Sequence, residues 1–332
     1  MHPRQTTVAA AVTVAGAFEI PLVTRFRNTG ARQGLLVRGP SGWGEWSPFG
    51  DYGPQLAARW WRATLEAATG SWPPARRTAV PINAIVPAVD PAHAHRIVAT
   101  SGCTTAKVKV GDAGDVDRVE AVRDALGPDG RLRVDVNGIW DLDTAIRRLR
   151  QLARFDLEYA EQPVADLADF ARLRTRVDVP LAADESVRLA ADPLHIRGID
   201  AADVVILKVQ PLGGVRPCLA VAEACDRPAV VSSAVETSVG LAAGLALAAA
   251  LPDLPYACGL GTMSLLAGDV TTDPLRPVGG VLRVRRPSPD PALVERWTAG
   301  AAVRTELDRL LAAARQVVAG DGSAGRSNGQ PG

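Results

Sequence analysis

From Val80 onward the chain alternates short runs of β-branched and aliphatic residues with longer stretches in which Leu and Ala recur among Arg, Asp and Glu. The short runs predict strands at Val80–Val86, Thr105–Val110, Leu132–Asn137, Leu157–Gln162, Pro180–Glu185, Val204–Val209 and Ala229–Ser233, with a weaker eighth at Tyr256–Leu260. The stretches between them, such as Leu142–Phe155 and Leu167–Val177, have the spacing of amphipathic helices. Strands begin roughly 23 to 27 residues apart, one βα unit each, and eight such units predict a closed parallel barrel. No GxGxxG follows any strand, so an open dinucleotide-binding sheet lacks its phosphate loop.

The two ends read differently. Val8–Phe18 is apolar enough to resemble a signal peptide, but its Val and Thr content and the charges at Glu19, Arg25 and Arg27 favour a strand. Gln33–Arg38, a turn at Gly39–Gly42 and a return strand through Gly44–Trp46 follow, then a helix over Gln55–Ala68 that Pro73-Pro74 closes off. After Gly279-Gly280 a strand at Val281–Arg285 and a helix from about Pro291 to Val318 are expected to fold back on the N-terminal region. The expected division is a capping unit over 1–78, a barrel over 79–278, a capping return over 279–318 and a disordered tail over 319–332. Val239–Leu251 carries Gly240 and Gly244 and stops at Pro252, short of the roughly 20 residues a membrane span needs, so it reads as a buried helix.

Composition adds two points. At 332 residues, 47% hydrophobic and a formal charge of +1, the chain can bury a large core and shows no basic excess for nucleic acid. Its cysteines, Cys103, Cys218, Cys225 and Cys258, form no CxxC pair, and a reducing cytoplasm is the default compartment. More telling is the basic set: three lysines, Lys107, Lys109 and Lys208, against 34 arginines.

All three lysines fall at strand ends, where a barrel carries its active site. The other strand ends offer Asp135-Val136-Asn137, Glu161-Gln162-Pro163 and Asp184-Glu185-Ser186. Lys109, Asp135, Glu161, Asp184 and Lys208 succeed one another at intervals of 26, 26, 23 and 24 residues, so each holds an equivalent place in its unit. A period of two puts Lys107 beside Lys109 on the inward face. Three converging carboxylates repel one another, and a hard divalent cation relieves this; all-oxygen ligation that leaves room for substrate oxygens favours Mg²⁺. Lysine can shed its proton beside another cation where arginine cannot, which makes Lys109, next to Lys107, a candidate base. A purely structural ion-pair network of this size is costly and is the weaker reading.

The KxK, DxN, EQP, DES and lysine series resembles the muconate-lactonizing subgroup of the enolase superfamily, and within it the o-succinylbenzoate synthases of actinobacteria. The likeness runs from about Val23 to Leu293, through RFR at Arg25–Arg27, GWGEW at Gly42–Trp46, VPINAIVPAV at Val80–Val89 and VVSSAVETSVG from Val230. It implies an enolase-type modified (β/α) barrel with an α+β capping domain built from both chain ends. It further implies Mg²⁺ on Asp135, Glu161 and Asp184, Lys109 as base, Lys208 stabilising an enediolate, and Lys107 tuning Lys109. Arg133, Ser232 and Gly259 would contact a small-molecule substrate, and the reaction would be a dehydration in menaquinone biosynthesis. A lysine base with Mg²⁺ is known chemistry of that superfamily. The same site would also suit an N-acylamino acid racemase or a muconate-type cycloisomerase, and a non-enzymatic barrel is the remote alternative. Gly259–Thr262 lacks the DxD pair of dipeptide epimerases, which counts against that activity.

Weaker signals are read conservatively. His93, His95 and His195 lie away from the strand ends, and His2 is terminal. Asp112, Asp115 and Asp117 read as a solvated helix start rather than a calcium loop. Ser238 is the expected N-cap of its helix, with the backbone N–H groups of 237–240 as an alternative carboxylate cradle. Trp43 and Trp46 either close over an apolar ring or pack in a plain turn.

Overall fold

Seven parallel strands curl into one sheet in a computed structural model that describes residues 11–26, 29–193 and 201–327. They are β5 (Ala84–Val86), β6 (Thr105–Lys109), β7 (Arg131–Asp135), β8 (Leu157–Glu161), β9 (Leu181–Ala183), β10 (Val204–Leu207) and β11 (Ala229–Val231), ordered as in the sequence. The weak eighth run forms no strand of its own. Instead Cys258 bridges to Ile82 at one edge and Gly259 to Ser232 at the other, so two residues span the gap between the outer strands.

Alternation along each strand makes two cores. Ala106, Val108, Leu132, Val134, Ala160, Leu181, Val205 and Leu207 pack outward under the helices, while Tyr159, Ala182, Val204, Ile206 and Val230 fill the barrel interior. The outer helices begin where the sequence supplies capping oxygens. Asp90 accepts from His93 N at 2.8 Å to start α2 (Pro91–Ser101), and Asp141 accepts from Thr144 N at 2.7 Å to start α4 (Leu142–Leu152). Between them lies α3 (Asp115–Leu126); α5 (Leu167–Arg174), α6 (Val215–Cys225) and α7 (Ser238–Ala250) complete the ring.

The capping unit comes from both ends. β1 (Thr13–Phe26), β2 (Thr29–Gly39) and β3 (Gly42–Trp46) form an antiparallel meander on which α1 (Pro54–Thr69) packs. Gly44 admits this approach, since a Cβ there would stand 2.5 Å from Thr64 O. The predicted first barrel strand splits in two. β4 (Ala79–Pro81) pairs antiparallel with β12 (Val281–Arg283), and only β5 joins the barrel.

The predicted C-terminal helix also divides, into α8 (Pro291–Arg296) and α9 (Ala301–Ser327). The break at Trp297–Gly300 serves the sheet: Phe18 bridges to Thr298, and Trp297 O accepts from Glu19 N at 2.8 Å. Leu307, Leu311 and Ala314 of α9 pack with Trp60, Trp61 and Ala57 of α1. The tail expected to be disordered from Gly320 continues this helix to Ser327, helped by an Arg62–Asp321 ion pair that composition does not reveal. Among the described residues no helix is long and apolar enough to cross a membrane.

Candidate active site

Strand register sets the site. Lys109 pairs with Asp135, Asp135 with Glu161 and Glu161 with Ala182, so Asp135 and Glu161 leave adjacent strands at one level and Asp184 stands two residues further along the next. Lys208 directly follows β10. Just past two of these acids the backbone turns left-handed, at Asn137 (φ 53°) and Gln162 (φ 40°), which swings the chain off the barrel rim.

The three lysines and three carboxylates pair closely. Lys107 Nζ lies 2.8 Å from both Glu161 oxygens and 3.3 Å from Asp135 Oδ2. Lys109 Nζ meets the same Asp135 oxygen at 3.2 Å, and Lys208 Nζ sits 2.6 Å from Asp184 Oδ2. Burial pulls the Lys107 ammonium down, but Glu161 and Asp135 outweigh it and hold the group protonated, well above its ordinary range. Burial likewise opposes ionisation of Asp135, yet Lys109 and Lys107 carry its pKa below the usual carboxylate value. At Glu161 burial dominates, and the carboxyl is pushed up to about 7 despite Lys107.

Other members escaped the sequence reading. Arg188, on a helical turn after β9, donates through Nε to Asp184 Oδ1 at 3.0 Å and through Nη2 to Glu185 Oε1 at 2.6 Å, and it contacts the Tyr52 hydroxyl of the capping unit. Gln162, the middle of the EQP triplet, accepts from Asp184 N at 3.0 Å and Ser186 N at 3.1 Å, fixing the Asp184 backbone from the neighbouring strand. Phe49 enters the cavity wall beside Ile85 and Val235. No strand or helix period marks these positions, since Gln162 and Arg188 stand just past the ends of β8 and β9 and Phe49 comes from the capping unit.

The three expected substrate contacts separate. Ser232 lines the cavity. Gly259 stands behind it, where a Cβ would come within 2.6 Å of Ser232 Oγ. Arg133 lies one layer lower, in the barrel interior. It donates to Glu158 at 2.6 Å and to Ala257 O at 2.7 Å, and it stacks over Tyr159. Glu158 reaches it because β8 carries one extra residue against β7, with Leu132 opposite Leu157 but Arg133 opposite Tyr159.

Thr237, not Ser238, caps α7; Ser238 Oγ instead accepts from Leu275 N at 2.7 Å. The N–H groups of Thr237 and Gly240 are occupied by Glu45, and that of Ser238 by Asp269, which leaves no cradle for a substrate carboxylate there. Asp115 is buried, accepts from Gly111 N at 2.9 Å and pairs with Arg148, rather than being solvated. Trp46 is a core residue donating to Ala57 O at 3.0 Å, and Trp43 packs beneath Arg38. His93 and His95 lie on α2, while His195 and His2 fall outside the described residues.

A capping unit closing a βα barrel, with lysines and carboxylates at consecutive strand ends, defines an enolase-type enzyme. Residues 90–289 match the enolase C-terminal domain-like family and residues 17–68 the enolase N-terminal domain-like family. The muconate lactonizing enzyme from Pseudomonas fluorescens, solved with muconolactone, superposes with a TM-score of 0.74 at 20% identity, covering 87% of this chain and 98% of that one. The L-Ala-D/L-Glu epimerase from Bacillus subtilis gives 0.70 at 22% identity, covering 84% and 96%; both share the fold. The o-succinylbenzoate synthase of Thermobifida fusca is 66% identical over 275 residues, 81% of this chain and 87% of its own. That of Mycobacterium ulcerans is 49% identical over 280 residues, 82% and 84%. The chain belongs to the o-succinylbenzoate synthase family of the enolase superfamily, and it is a lyase.

Proposed function

We propose that the protein dehydrates 2-succinyl-6-hydroxy-2,4-cyclohexadiene-1-carboxylate to 2-succinylbenzoate, a step of menaquinone biosynthesis, in the cytoplasm. The observation that carries this reading is the placement of Lys109 and Lys208 on β6 and directly after β10, with Asp135, Glu161 and Asp184 on the strands between them. A planar ring carboxylate lying over the three acids then meets one lysine on each side. Lys109 Nζ takes the α-proton next to the carboxylate, the C–O bond on the same face breaks, and that proton leaves with the hydroxide as water while the ring becomes aromatic. Lys208 offsets the negative charge that develops on the carboxylate from the other face. Lys107, held protonated by Glu161 and Asp135, places a fixed positive charge beside Lys109 on the same strand.

Among the described residues no three acidic, imidazole or thiol side chains converge on one point, because each carboxylate is drawn to a lysine. The donor set nevertheless suits a hard cation: Asp135, Glu161 and Asp184 are buried oxygen donors at the ends of three neighbouring strands. Mg²⁺ held by these three would supply Lewis-acid stabilisation of the carboxylate's developing charge. The cavity above these groups is lined by Lys107, Lys109, Asp135 and Lys208 on one side and by Phe49 and Val235 on the other. The capping unit, 1–78 with the 279–318 return, would supply Phe49 as the apolar wall and leave the chemistry to the barrel, 79–278.

Purified protein with Mg²⁺ is expected to consume the diene, followed by loss of its absorbance. The Lys109→Arg variant should lose about 10³-fold in kcat with an unchanged melting temperature. A lysine on each face also suits a 1,1-proton transfer on an N-acylamino acid. Absence of diene turnover together with rapid solvent-deuterium exchange of such a substrate's α-proton would replace the dehydratase reading with that one.

A further inference from the structure

The cavity wall opposite β6 is the segment Ser232–Thr237, and its backbone is under strain. Val235 lines the cavity with φ at +63°, a conformation that β-branched residues rarely adopt and that persists only where surrounding contacts enforce it. Part of that enforcement is local: Val235 N donates to Ser233 Oγ at 2.8 Å, and Ala234 N to Glu236 Oε2 at 2.9 Å. The remainder comes from the capping unit. Arg32 of β2 donates through Nε to Val235 O at 3.1 Å, and its Nη2 bonds Ser47 O. Glu45 of β3, 2% exposed, accepts from Ser47 Oγ at 2.7 Å, Thr237 N at 3.3 Å and Gly240 N at 3.0 Å, and also from Thr237 Oγ1.

From this geometry we infer that Arg32 and Glu45 are positioning residues that clamp the Ser232–Thr237 wall of the active site, so the capping unit shapes the substrate pocket through the barrel's own loop. The two grip the segment at separate points, Arg32 at the strained Val235 carbonyl and Glu45 at the helix start that follows it. Neither lines the cavity, and each reaches the reaction only through this loop. Ser47 ties the pair together, since its carbonyl takes Arg32 and its hydroxyl takes Glu45. Arg32 also stands 4.3 Å over the Phe49 ring, which places the capping unit's own wall residue on the same anchor. Loss of the clamp leaves the lysines and carboxylates in place but lets the wall relax, so substrate affinity falls more than the chemical step.

This inference rests on the dehydratase reading for its kinetic arm only. Glu45→Ala is expected to raise KM for the diene acid about 10-fold with kcat within about threefold, and Glu45→Gln, which keeps an acceptor oxygen, to return KM to within about threefold of the parent. Leu149→Ala, in the outer core beneath α4, serves as a control matched for lost melting temperature and should leave KM unchanged. Arg32→Lys, which keeps the charge but cannot reach Val235 O and Ser47 O together, provides the clamp test should Glu45→Ala fail to fold. Amide hydrogen exchange reads the clamp without substrate: residues 233–237 should exchange about 10-fold faster in Glu45→Ala or Arg32→Lys and not in Leu149→Ala. Unchanged exchange there overturns the clamp whatever the enzyme turns over, as do KM and kcat values in Glu45→Ala that match those of Leu149→Ala. Faster exchange in a protein that does not consume the diene supports the clamp and overturns the dehydratase assignment instead.

Discussion

Lysine placement is where single residues speak most clearly. In a chain with 34 arginines, the three lysines all stand in the ion-pair cluster at the barrel mouth, and two share one oxygen of Asp135. Their positions were legible because strand periodicity and βα spacing are one-dimensional signals. Arg188 and Phe49 were not: Arg188 reaches Asp184 and Glu185 from a single helical turn after β9, and Phe49 comes to the cavity from the capping unit. Glu45 belongs to the same hidden set, and its ionisation has a measurable consequence. Burial pushes its carboxyl from 4.5 up to about 7, against the hydrogen bonds from Thr237 and Ser47. The folded protein therefore holds a proton that the unfolded chain releases above its ordinary value, and stability must fall as pH rises through this window. Between pH 4.5 and 7 the parent should lose on the order of 3 kcal/mol relative to Glu45→Gln, with no divergence below pH 4. Urea midpoints of the two proteins across that range check this; parallel curves would mean that Glu45 is ionised throughout.

At the scale of elements, period and composition located most strands to within a few residues, and failed where tertiary contacts decide. The segment around Cys258 carried a weak pattern because it contributes only two bridging residues, not a strand. The run from Val80 looked continuous, yet Ile82 and Asn83 leave one sheet for another. Asp115 sits in a polar stretch that suggests solvent, but Arg148 from the next helix buries it. Helix α7 makes the same point as a prediction. Gly240 lies in its first turn, where Ala would ordinarily stabilise by up to about 1 kcal/mol. A Cβ at this site would stand 2.7 Å from Glu236 Cβ and 2.9 Å from Glu45 Oε2. Gly240→Ala should therefore destabilise, by about 1 to 3 kcal/mol as overpacking does, and urea denaturation reads the sign. A gain in stability would show that β3 can retreat from the helix start without loss.

Across the whole molecule, the site is a charge balance that the proposed substrate and cation would have to rearrange. Lys107, Lys109, Lys208 and Arg188 face Asp135, Glu161, Asp184 and Glu185, so the mouth of the barrel is compensated through its own pairs. A divalent cation held by Asp135, Glu161 and Asp184 would have to compete with Lys107, Lys109 and Lys208 for those carboxylates. Because such binding needs three strands held in register, it belongs to the folded state alone and adds to stability by mass action, about 2.7 kcal/mol at a hundredfold excess over Kd. Mg²⁺ should accordingly raise the melting temperature in a saturable way, and chelation should reverse the rise without unfolding the protein. Asp184→Asn should abolish this response while Arg188 still bonds the remaining side-chain oxygen. A melting temperature indifferent to Mg²⁺ in the parent would mean that the lysines hold the carboxylates too tightly for a cation to compete, and would remove the metal from the proposed reaction. The size of the response in Lys107→Met decides how much of that competition comes from Lys107: with its ammonium gone, Glu161 loses its nearest positive partner, and Mg²⁺ should stabilise the variant more than it stabilises the parent.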